Sequence, residues 1–214
     1  MGLPASISFS TSLPAYKIIG IVRIPPYICH PQNEKPPCLP LHTRLFNPTL
    51  KSLTPPDTHH LSAAQGWLEL GNPLEATTEL EQITPLFRTH PDVLDLSWQI
   101  NAKSGNWDSC VEIGHALVKT APDQPENWIH RSYALHELKR TREAFDWLEP
   151  AAALFPKVWL IPYNLACYSC QLGNRDDALK WLTATFKRGG KKAVKLMALQ
   201  DPDLQPLSAE IKEL

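Results

Sequence analysis

The chain has 214 residues, 43% of them hydrophobic, and its 21 Lys and Arg offset 22 Asp and Glu to a net charge of −1. That is ample apolar material for a core, and so even a balance argues against the concentrated basic face that a nucleic acid backbone selects. Five cysteines, Cys29, Cys38, Cys110, Cys167 and Cys170, form no regular framework, which argues against a disulfide-stapled secreted domain and for a reducing compartment.

Residues 1–56 stand apart: they hold 11 of the 21 prolines, none of the seven tryptophans, and five cations against Glu34, a net of +4 that leaves −5 for the rest. Proline removes backbone donors and holds its preceding residue out of the helical region, so this segment is expected to be extended and largely disordered. Its one apolar run, Ile18 to Val22, stops at Arg23 and Pro25-Pro26, too short for a secretory signal or a membrane span. A soluble cytoplasmic protein without a membrane partner is the expectation. Arg23-Ile24-Pro25-Pro26-Tyr27 and Lys35-Pro36-Pro37 suit a polyproline II contact with an aromatic groove, and Gly2 with Ser6 satisfies the loose myristoylation pattern. Against both stands the reading that the segment does little. A sharper expectation is that it is a spurious upstream extension. No Met lies between Met1 and Met197, so a start near Leu50-Lys51 would use a non-AUG codon.

From residue 57 the chain repeats itself. Gly71, Gly105, Lys139 and Gly173 are spaced by 34, and five residues after each comes a small residue: Ala76, Cys110, Ala144 and Ala178. Seven residues before each stands Ala64, Trp98, Ser132 or Ala166, small in three cases. A glycine past the last helical turn takes the left-handed conformation that closes a helix, and the next helix starts two or three residues later. Small residues at fixed points on both helices let the backbones approach, and Trp67, Leu70, Leu80, Leu135, Leu138, Leu148 and Leu182 fill the space around that contact. Thirty-four residues make a helical hairpin. One hairpin cannot bury its apolar face alone, but four stacked ones can. The units predicted are 57–90, 91–124, 125–158 and 159–190.

These positions resemble the tetratricopeptide repeat, W-x2-L-G-x2-Y, then A-x3-F, then P. The third unit matches best, with Trp128, Ser132, Leu135, Ala144-x3-Leu148 and Pro156; the second offers Pro122 at the same point, and the fourth Ala166 and Ala178-x3-Leu182. The resemblance covers about residues 57–190 and implies an all-α, right-handed α-solenoid whose first helices line a concave surface. Four departures stand out: Trp98 at a small position, Gly114 at a large apolar one, Lys139 at a glycine, and Pro85 inside the second helix of unit one, where a kink or early stop is expected. If buried, Trp128 is expected to cost roughly 3 to 5 kcal/mol on truncation to alanine.

Gly189-Gly190 ends the fourth unit, and Lys191 to Gln200 reads as a helix with Ala193, Val194, Met197 and Ala198 on one face. Asp201-Pro202-Asp203 then offers a cap and a first helical position for a last helix from Leu204 to Leu214. Residues 191–214 are expected to cover the exposed end of the last hairpin.

Little in the chain suggests catalysis. Cys167-x2-Cys170 lies within a predicted helix rather than at its N-terminus, where a dipole would lower a thiol pKa, and no second ligand pair follows for zinc. A redox or metal enzyme using these two cysteines is the weakest reading, and neither metal nor cofactor is expected. His59-His60 and His30 are isolated, and no phosphate loop or nucleophile elbow appears. Lys187, Arg188, Lys191, Lys192 and Lys195 read as a solvated face that complements a helix dipole.

The resemblance implies a protein-interaction module or scaffold holding an extended or helical peptide of another protein. In that family the inward positions lie six, ten and three residues before the closing glycine. They map to Gln65, Gln99, Tyr133 and Cys167, to Leu61, Asp95, Ile129 and Tyr163, and to Leu68, Ala102, His136 and Cys170. Leu, Asp, Ile and Tyr stand where some members carry carboxylate-gripping lysines, so carboxylate capture is not expected. An aromatic and amide groove suits a peptide with apolar anchors. A chaperone that masks a secreted or assembling client is the alternative.

Overall fold

At all four closing positions the backbone enters the left-handed region, with φ of 82° at Gly71, 74° at Gly105, 80° at Gly173 and 64° at Lys139. The same capping bond follows each turn: the N–H groups of Asn72, Asn106, Arg140 and Asn174 each donate to the carbonyl five residues back, at 2.9 Å in every unit. This is the Schellman closure. Lys139 adopts it without glycine, at a backbone cost of about 1–2 kcal/mol for an L-residue in that region.

The computed structural model describes residues 51–214, and everything expected of residues 1–50 lies outside them. The closures separate α1 (Asp57–Glu69) from α2 (Pro73–Glu81), α3 (Pro91–Lys103) from α4 (Trp107–Thr120), α5 (Pro125–Glu137) from α6 (Thr141–Leu154), and α7 (Leu160–Gln171) from α8 (Arg175–Gly189). Proline at the first helical position starts α2, α3 and α5, where its missing N–H costs nothing. Within each hairpin the two helices pack together, and α2 meets α3, α4 meets α5, and α6 meets α7. The result is an all-helical α-solenoid of tetratricopeptide type.

The repeat register is also the core. Ala64, Trp98, Ser132 and Ala166 on the first helices, and Ala76, Cys110, Ala144 and Ala178 on the second, are all fully enclosed. Cys110 packs so tightly that burial pushes its thiol up to about 12; it acts as a small apolar residue. Unit one is further tied by Asp57, a buried carboxylate accepting the Thr84 N–H at 2.7 Å.

Some expectations hold and others need correction. At Pro85 the outcome is the early stop that was one of the two expected: α2 ends at Glu81, and Pro85–Phe87 forms a separate 3-10 turn. Trp128 is half-buried rather than enclosed, with its indole N–H donated to the Pro122 carbonyl at 3.0 Å, so the full cavity cost does not apply to it. Gly114, which departs from the repeat pattern, has a structural reason: a Cβ there would lie 2.9 Å from the Arg131 Cα, so the missing side chain is the condition for a close crossing of α4 and α5. At the C-terminal end α9 (Lys191–Gln200) packs on α8. The single helix expected after it is instead a 3-10 segment, Pro202–Leu207, followed by a short α10 (Ser208–Glu213). Pro206 sits inside the 3-10 stretch and cannot supply the N–H that an α-helix would require there.

Candidate functional site

The first helices lie side by side, α1 against α3 and α5 against α7, and the family positions fall into two groups along them. In units one to three Gln65, Asp95, Gln99 and Tyr133 are half-buried polar or aromatic members, and Leu61 and Leu68 are half-buried aliphatic ones. Gln65 donates its amide to Glu69 at 3.0 Å, and Gln99 donates to Asp95 at 2.8 Å. The Tyr133 ring meets Trp107 edge-on, with centroids 5.8 Å apart. Leu61 and Leu68 instead pack against the cluster of Ala64, Ala76, Leu96 and Ile100, while Ala102 and Ile129 are buried.

Beneath this face lies a pair that the sequence pattern did not single out. The Trp98 indole stacks on the His130 ring at 4.0 Å with a 9° tilt, joining unit two to unit three. Burial holds the His130 imidazole below its ordinary pKa, and the Asp95 carboxylate, 3.5 Å from Nδ1, opposes that shift. His130 is therefore a neutral packing ring at neutral pH.

At His136 of unit three and at Tyr163 and Cys167 of unit four the inward positions are covered by the chain itself. Asp201 Oδ2 accepts from the Tyr163 hydroxyl at 2.7 Å and from the Cys167 thiol at 3.6 Å. Asp203 Oδ2 lies 3.0 Å from His136 Nε2. A carboxylate that accepts here meets an N–H at Nε2, and His136 Nδ1 lies 3.0 Å from the Thr141 hydroxyl. Gln171 Nε2 donates to the Asp203 carbonyl at 2.9 Å, and Arg175 donates to the Pro206 carbonyl and pairs with Glu210. Thus Tyr163, Cys167 and His136 do not line an open trough: all three are buried. Two of the chain's own side-chain carboxylates sit on this end of the face, received by the Tyr163 hydroxyl, the Cys167 thiol and the His136 imidazole rather than by lysines.

The remaining candidates follow from burial. Burial pushes the Cys167 thiol well up, reinforced by Asp201 and Asp203, and burial likewise raises Cys170; neither is a ready thiolate. Among the described residues no group of three or more His, Cys, Asp or Glu is placed to hold a metal ion. His60 bridges α1 to Glu79 of α2 at 2.9 Å. Lys187 and Arg188 complement the end of α8, whereas Lys191 and Lys192 stand in the first turn of α9, where a cation opposes the dipole. Both of the latter are exposed.

Trp107, Gln171 and Arg175 were missed by the sequence reading, and Asp201 and Asp203 were read correctly as a cap but not as contacts of the inner face. A signal for Asp201 existed: continuing the register of Gln65, Gln99, Tyr133 and Cys167 by another 34 residues lands on it.

No family model matches the chain, and no curated protein matches it. Solved structures do. MamA residues 41 to the end from Desulfovibrio magneticus RS-1 superpose with a TM-score of 0.61 at 16% identity, covering 76% of this chain and 94% of that one. Another MamA crystal structure gives a TM-score of 0.59 at 14% identity, covering 64% and 81%. A thermophilic tetratricopeptide protein of Thermus thermophilus, TTC0263, gives 0.54 at 20% identity, covering 74% and 100%. At such identities the likeness is one of fold.

Proposed function

We propose, taking the tetratricopeptide-type solenoid as the premise, that this chain is a protein-interaction module and not an enzyme, and that it holds a peptide segment of a partner along α1, α3 and α5. The observation that carries this reading is the row of Gln65, Asp95, Gln99 and Tyr133. These side chains are only half-buried, and Gln65 and Gln99 are bonded to acids on their own helices. Amides satisfied by a carboxylate on their own helix exchange those bonds for a peptide backbone at small net cost. The Tyr133 and Trp107 rings offer an apolar anchor of the kind that dominates peptide recognition. A polypeptide partner is favoured over nucleic acid because none of the twelve inward positions is Lys or Arg. The composition supports a cytoplasmic setting, and no helix among the described residues is long and apolar enough to cross a membrane.

The test is affinity purification from the source organism with three forms of the chain: unaltered, Gln99→Arg with Tyr133→Ala, and Lys119→Ala on the exposed side of α4. A partner retained by the first and third and reduced at least about tenfold in the second, equivalent to about 1.4 kcal/mol, is the expected result. Equal recovery by all three forms overturns the proposal.

A further inference from the structure

We propose that the α5–α7 end of the inner face is a recognition site for acidic segments, occupied in this structure by the chain's own Asp201-Pro202-Asp203 turn, and that a partner's Asp- or Glu-bearing segment enters by displacing that turn. This rests on the reading of the inner face as a binding surface and adds the chemistry of one part of the ligand.

Three features of the turn set it apart from a plain end cap. First, its contacts with the inner face are polar and converge from several elements. Tyr163 and Cys167 of α7 meet at one carboxylate oxygen of Asp201, His136 of α5 reaches Asp203, and Gln171 holds the Asp203 carbonyl. An apolar end needs only apolar cover, and that cover is supplied separately by Leu204, Leu207 and Ile211, each fully enclosed. The anchor and the tip are thus distinct, so the tip can lift while the anchor stays seated.

Second, the tip has little local structure to hold it down. It lies between the end of α9 and a 3-10 segment, and its Asp203 and Leu204 N–H groups are held by Asp201 alone, through Oδ1 at 2.9 Å and the carbonyl at 3.1 Å, local bonds that fray once the turn leaves the inner face. Third, the site is reachable. The Asp203 side chain remains 37% exposed while its partner His136 is 8% exposed, so the donor lies in the wall and the carboxylate on the solvent side of it. A second carboxylate approaching from solvent meets the same donors in the same orientation. The Tyr163 hydroxyl and the Cys167 thiol carry no charge, so a departing Asp201 strands no buried cation there, and exchange of one carboxylate for another returns an acceptor to each donor.

The experiment uses the full chain and a fluorescent peptide, acetylated and amidated, with the sequence of residues 199–205, alongside the same peptide with both aspartates replaced by asparagine. The D201A/D203A chain is expected to bind the acidic peptide at least about tenfold more tightly than it binds the asparagine peptide, and at least about tenfold more tightly than the unaltered chain binds the acidic one. Absence of binding by the double variant, or equal binding of both peptides, reduces the turn to an end cap and overturns the proposal. If the double variant does not fold, hydrogen exchange on the unaltered chain decides. Excess acidic peptide should speed exchange at Asp203 and Leu204, and unchanged exchange overturns the proposal. Failure here leaves partner capture through Gln99 and Tyr133 intact, and loss of that capture reading leaves peptide binding at α5–α7 intact, so the two fail separately.

Discussion

Trp98→Ala lowers the unfolding free energy by about 3–5 kcal/mol, the range for deleting a large aromatic from a closed site. Trp98 occupies the point where the other units carry Ala64, Ser132 and Ala166, all fully enclosed, so the surrounding helices are already spaced for a large side chain and cannot collapse onto alanine. The loss also removes the surface on which His130 stacks and so weakens the joint between the second and third hairpins. A domain has only about 5–15 kcal/mol in all, and chemical denaturation followed by circular dichroism should show a markedly lower midpoint. Trp98→Phe supplies the control. The indole N–H has no hydrogen-bond partner among the described residues, so phenylalanine keeps the stacking ring and discards an unpaired polar group, at an expected cost below about 1.5 kcal/mol. Equal losses for the two substitutions would mean that the packing account of this site is wrong.

Gly114→Leu is expected to destabilise by about 3 kcal/mol, at the upper end of the cost of overpacking, although it restores the residue that the repeat pattern favours. Leu80, Leu148 and Leu182 occupy the same register position in the other units, and Leu148 and Leu182 are fully enclosed there. In unit two that space belongs to the next unit: an added Cβ would lie 2.9 Å from both Cα and Cβ of Arg131. Backbone on one side and a helix interior on the other leave nothing to yield, and overpacking of this kind costs about 1–3 kcal/mol. The gain in helix propensity on replacing glycine is at most about 1 kcal/mol, so the clash wins. Arg131 is itself pinned, its guanidinium 3.3 Å above the Trp147 ring and bonded to His115 at 2.8 Å. A higher denaturation midpoint for the leucine variant would show that α4 and α5 have freedom to separate.

The hairpins were legible because their signal is local and repeated: four closing residues, four small residues and the apolar spacing around them each recur every 34 positions. Even the exception at Lys139 was placed correctly, since the register constrains the backbone more than any one side chain does. What was not legible is long-range. The contacts of Asp201 with Tyr163 and Cys167, and of Asp203 with His136, span 38, 34 and 67 residues, and no pattern within a helix announces them. For the same reason the family positions did not disclose what covers them: Tyr163 and Cys167 lie under the Asp201 carboxylate. Trp128, expected as a packing element, fits the family motif yet is only half-buried, because a motif position specifies a place in the hairpin and not the depth of its cover.

The most direct measurement of the account is where a bound partner lies. A photo-cross-linking residue placed at Gln99 on α3, and another at Glu149 on the exposed side of α6, can be compared in the same cells. Cross-links to a partner from position 99 and none from position 149 are the expected result. Cross-links from 149 with none from 99 would contradict the assignment of the first helices as the binding face.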